Sequence, residues 1–137
     1  MRVSATAPRL ARAEAVLVVL IAAHSLAVGS FLAFATAWGA RFGGFGSVTP
    51  LFFPRQAGAF HFVVAAVYLI EYFRYRGVLM LVLTKAIAVV FLGLCTALTD
   101  AAWVVPLSGL GDAAMAVAVV WVRRSRGLKL AGRVATP

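Results

Sequence analysis

Four long apolar runs constrain this chain more than any other feature. They cover residues 15–38, 54–75, 78–98 and 101–122. Each holds ~21–24 residues, enough to cross ~30 Å of hydrocarbon at ~1.5 Å per residue. None shows the strict apolar–polar alternation of a membrane β-strand. Composition agrees, because 64% of the residues are hydrophobic and only 12% are charged, too few to cover a water-soluble core of this size. The expected fold is a single all-α domain of 137 residues, a four-helix transmembrane bundle with a basic tail at 123–137.

Basic residues orient the bundle. Arg2, Arg9 and Arg12 precede the first run, and Arg74 and Arg76 separate the second and third. Arg123, Arg124, Arg126, Lys129 and Arg133 follow the fourth. Only Arg41 and Arg55 fall at the other end. Cytoplasmic segments are the ones enriched in Lys and Arg, so both the N-terminus and the C-terminus are expected in the cytoplasm of a bacterial inner membrane. The net charge of +9 follows the membrane rather than nucleic acid, since the cations cluster at the ends of apolar runs, where anionic lipid headgroups are the natural partners. A cleaved signal peptide is the competing reading of the first run, but its apolar stretch exceeds an ordinary h-region. Trp38 and Trp103 are expected at the outer interface, and Tyr72, Tyr75 and Trp121 at the inner one.

The connections differ in length. Residues 39–53 carry four glycines and Pro50, and read as an outer loop whose Phe42, Phe45, Phe52 and Phe53 lie on the membrane surface or a partner. Its GGFG is no phosphate loop, because no strand precedes it and no Lys-Ser/Thr follows. The link at Gly77 is so short that the second and third runs should form a tight antiparallel hairpin. Asp100 is expected to cap the fourth helix.

Ser25, Gly29, Ala33 and Ala37 recur every fourth residue on the first run. Such a small-residue stripe lets helix backbones approach closely, against either another helix of the chain or another subunit. Polar groups inside the runs matter more. A charge at a helix centre costs about 2.5–3.5 kcal/mol to insert, so such groups turn inward and find partners. Counted from the cytoplasmic ends, His24, Glu71, Lys85 and Asp112 lie ~9–15 Å deep, one from each helix. Glu71 and Lys85 flank the short link and should pair, with Arg74 at i, i+3 as the alternative partner for Glu71, and Asp112 with His24 forms the second expected pair. Tyr68 stands one turn from Glu71 as a donor. His61 is placed nearer the outer side. This cluster of His24, Tyr68, Glu71, Lys85 and Asp112 reads either as a closed network fixing helix order or as the lining of a proton or small-ligand path.

Catalytic signatures are missing. There is no HExxH, CxxC or clustered carboxylate for a metal, and no nucleophile motif. His24 and His61 are too far apart in depth to share a haem, and Cys95, the only cysteine, reads as a small packing residue. No cofactor and no enzymatic activity are expected.

The stretches PRQAGAFHFVVAAVYLIEY at 54–72 and LTKAIAVVFLG at 83–93, with the length and helix number, resemble the DoxX-like group of small bacterial four-helix membrane proteins. That resemblance implies an accessory membrane subunit in a redox or quinone-linked system. The expected function is therefore a non-enzymatic accessory or assembly subunit of a larger inner-membrane complex, partnered by lipid and by other subunits or copies of itself. The alternative is a minimal oligomeric transporter or proton-linked carrier using the polar cluster. A third option is lipid or quinone binding between helices.

Overall fold

The computed structural model describes residues 6–132. Over them it forms five helices: α1 (Thr6–Phe34), α2 (Thr36–Phe42), α3 (Phe52–Tyr75), α4 (Leu79–Leu98) and α5 (Val104–Ser125). No strand occurs among the described residues. All but the short α2 are long and apolar enough to cross a membrane, which marks the chain as a membrane protein. Arg2 and Arg133, counted above for orientation, lie outside the described residues.

The first apolar run does not continue as one helix to Trp38. It breaks at Ala35 (φ −111°, ψ 32°), and the remainder becomes α2. The Thr36 hydroxyl donates to the Leu32 carbonyl at 2.7 Å. That carbonyl is the acceptor the Thr36 backbone N–H would use in a continuous helix, and such competition bends helices. The outer connection is thus partly helical, and Ala37 leaves the α1 stripe to stand exposed on α2. Gly44, at φ +90°, sits against the Trp103 indole, whose N–H donates to the Phe42 carbonyl at 3.1 Å. Trp38 stacks on Phe42 there and Trp103 meets Phe42 edge-on, an aromatic seal over the end of the bundle where α2 lies. Asp100 does not cap α5, which starts at Val104 with no side-chain cap, and Asp100 is exposed.

The helices associate as two pairs, α1 with α3 and α4 with α5, and the pairs meet where α1 touches α5. The tight pairing expected between α3 and α4 is absent; the two scarcely meet. Two observations explain this. On α1, buried Ser25 and Gly29 press the helix onto α3, where Gly58 fits so closely that a Cβ there would lie 2.7 Å from the Gly29 carbonyl and 2.8 Å from the Ala33 amide. The small-residue stripe is therefore spent within the chain. At the end opposite α2 the segment after α5 folds back between α3 and α4: the Val78 amide donates to the Leu130 carbonyl at 2.9 Å, and Gly132 lies against the Tyr75 carbonyl. The chain reverses through Arg76, held in the left-handed region at φ 56°.

The core is small and sits in the half of the bundle where α1 starts and α5 finishes. Val18, Ile21, Tyr68, Tyr72, Val78, Leu81 and Val119 form it. Elsewhere the helices face outward with Leu, Ile, Val and Phe, the surface hydrocarbon solvates. Gly58→Ala is expected to lower stability by about 1–3 kcal/mol, because both contacts are backbone atoms that yield only if α1 and α3 separate. Gly93→Ala, where nothing lies within 4 Å, should be neutral or slightly stabilising. Denaturant titration in mixed micelles compares the two; equal losses would refute the close crossing.

Candidate functional site

Two polar clusters organise the bundle, and sequence reasoning found only one. The overlooked cluster lies at the end of the bundle where α1 starts and α5 finishes, and is centred on Glu14, which is fully buried. Its carboxylate accepts from Arg123 at 2.6 Å and from Arg126 at 2.5 Å. The Arg123 guanidinium also donates to the Lys129 carbonyl at 2.9 Å and to the Arg76 carbonyl. Tyr72, from α3, brings its hydroxyl to Arg126. One guanidinium thus ties α1, α5, the α3–α4 link and the returning tail. The left-handed turn at Arg76 has a purpose here, since it aims that carbonyl at Arg123. Tyr72, expected in the inner aromatic belt, is instead buried in this cluster, whereas Tyr75 and Trp121 are exposed.

The second cluster lies deeper. Lys85 of α4 and Asp112 of α5 form an ion pair at 2.5 Å, their side chains 6% and 15% exposed. Thr84 faces the buried Tyr68 hydroxyl, and the Asp112 charge reaches it too. His61 is half-buried on α3 beside Gly29 of α1, and lies within electrostatic reach of Lys85, Asp112 and His24. The expected Glu71–Lys85 pair does not form, because their helices are not packed neighbours. The expected Asp112–His24 pair does not form either; His24 is exposed on α1.

Glu71 has a different task. Its carboxylate accepts the Met80 backbone N–H at 2.9 Å, one of the free donors in the first turn of α4. It is a cap supplied from the preceding helix, and its charge suits the positive end of the α4 dipole. Glu71→Ala should cost about 1 kcal/mol. Amide exchange should accelerate in the first turn of α4 and leave α5 unchanged; exchange unaffected at Leu79 and Met80 would refute the cap.

Of the five residues singled out from sequence, the structure gathers Tyr68, Lys85 and Asp112, sets Glu71 apart as a cap, and leaves His24 on the surface. Every buried side-chain nitrogen and oxygen among the described residues has a hydrogen-bond partner. Chemically, both clusters pair their charges internally: Lys85 with Asp112, and Glu14 with Arg123 and Arg126, while the Arg123 guanidinium also reaches the Arg76 and Lys129 carbonyls. No group of three or more His, Cys, Asp or Glu that could hold a metal occurs among the described residues.

Fold and clusters together define an all-helical bundle with four helices able to cross a membrane, braced by internal ion pairs. Comparison with family models, curated proteins and solved structures finds no match to this chain.

Proposed function

We propose that this protein is a non-enzymatic subunit of a bacterial inner membrane, accessory to or assembling a larger membrane complex, with both chain ends in the cytoplasm. The observation that carries the reading is the closure of its charges. Lys85 with Asp112, and Glu14 with Arg123 and Arg126, spend the costly groups on fixing helix order. What lies open to partners is apolar helix surface together with exposed arginines. The outward faces of α3, α4 and α5 are apolar and uncovered by other described residues, and Phe45, Phe52 and Phe53 are exposed. The DoxX-like resemblance supports a redox or quinone-linked complex as the setting. Purification in mild detergent tests this: the protein is expected to elute with other membrane subunits, and a lone monomer with no co-purifying protein overturns it.

A proton-linked carrier is the second reading, favoured by one observation: His61 lies within reach of the Lys85–Asp112 pair in mid-bundle. In proteoliposomes such a carrier would lose flux on Asp112→Asn; unchanged flux removes the reading.

A further inference from the structure

The inner end of the bundle is unbalanced in charge. Arg9, Arg12, Arg74, Arg76, Arg124 and Lys129 are exposed there. The acids at that end are committed, Glu14 to its two arginines and Glu71 to the Met80 amide. Most of these cations sit on open surface. Arg124 differs, because it stands at the rim of a groove.

That groove, about 350 Å³ in volume, runs down one face of α5 and is lined by Ala116, Val117, Val120, Trp121, Arg124 and Ser125. Its deeper part is apolar, and its inner rim is polar. Val117 and Trp121 are 68% and 67% exposed, so no other described residue covers this face. Arg124 forms no ion pair among the described residues, while its neighbours Arg123 and Arg126 are turned inward to Glu14.

We infer that this face of α5 is a binding site for an anionic phospholipid. The polarity gradient matches such a molecule from end to end. An acyl chain lies along Ala116, Val117 and Val120, at a depth where hydrocarbon is the only other neighbour. The phosphate takes a charge-assisted, bidentate hydrogen bond from the Arg124 guanidinium and a second from the Ser125 hydroxyl. The Trp121 indole stands between the two, at the headgroup level where amphipathic rings settle. The carbonyl end of α5 repels a phosphate, but the Glu14–Arg123–Arg126 group beneath it carries a net positive charge that offsets this. A free phosphate would leave the apolar groove unfilled, so the occupant is a lipid. The site is independent of the subunit role proposed above.

Native mass spectrometry of the full chain in detergent, titrated with phosphatidylglycerol or phosphatidylcholine, tests the inference. Wild type should retain phosphatidylglycerol in preference to phosphatidylcholine. Arg124→Gln should weaken that retention roughly fivefold, the worth of one basic side chain near an anionic surface. Arg9→Gln removes the same charge from exposed α1 and should change retention little. Val117→Trp, which fills the groove without changing charge, should lower it as well. Inorganic phosphate in excess should not displace the lipid. Equal losses in Arg124→Gln and Arg9→Gln would mean diffuse attraction and overturn the site. Displacement by phosphate, or full retention in Val117→Trp, would also overturn it. Arg124 is exposed and unpaired, and Val117 faces outward, so both variants should fold; an unchanged elution profile checks this.

Discussion

Replacing Glu14 by glutamine is expected to destabilise the protein by about 3–5 kcal/mol, among the largest losses any single substitution should produce here. The carboxylate is fully buried and holds two guanidinium groups. Removing its charge strands Arg123, only 4% exposed, without a counter-ion. Arg126, with 22% of its side chain exposed, is nearer solvent and can relax toward water. Arg123→Met alone should cost a similar amount, since it leaves Glu14 short of one partner and frees the Arg76 and Lys129 carbonyls. The double variant Glu14→Gln, Arg123→Met removes both charges. It should lose no more than the worse single variant, because coupled residues are not additive. Denaturant titration in mixed micelles reads all three. Single losses that simply add would show that the two residues act independently.

The sequence made the helices legible and left their neighbours obscure. Apolar length located all four spanning segments, because nothing else in the chain can satisfy that many apolar residues. The limits shifted for local reasons. α1 already runs ahead of the first apolar run, because Leu10, Ala11, Arg12, Ala13 and Glu14 are good helix formers that extend beyond the hydrocarbon. Its far end broke where Thr36 competed for a carbonyl. Depth counting placed Glu71 and Lys85 at one level, but level is not adjacency. Which helices pack was decided by the mutual fit of Gly29 and Gly58, two residues far apart in sequence. Glu14 was missed because it stands at the edge of the first apolar run, where it reads as a solvated flank. A signal was present nonetheless: the chain has only four acidic residues, and one of them sits among arginines where an apolar run begins. The returning tail had no signal in composition. It docks through the Leu130 and Lys129 carbonyls, which any residue could supply, and through the Leu130 side chain packed against the core.

Breaking the Lys85–Asp112 pair is the other substitution expected to cost about 3–5 kcal/mol, and it separates structural from transport roles. Lys85→Ala leaves a carboxylate 15% exposed among apolar neighbours, and Asp112→Ala leaves an ammonium only 6% exposed. Neither has another ion-pair partner among the described residues, since Glu71 is committed to the Met80 amide and Glu14 to its arginines. Lys85→Met with Asp112→Leu restores apolar volume and removes both charges, so it should regain most of the lost stability. Replacing a buried ion pair by packed apolar residues is often neutral or better. Unfolding midpoints in mixed micelles would show this as two unstable single variants and a near-native double; a double as unstable as the singles would deny that the pair is a unit. The stable double then becomes the informative protein. If the pair only braces α4 against α5, the double variant should still co-purify with the same membrane partners as wild type. If the pair carries protons, the double should fold and assemble normally yet show no flux in proteoliposomes. A brace tolerates the loss of its charge when its shape is kept, whereas a proton carrier does not.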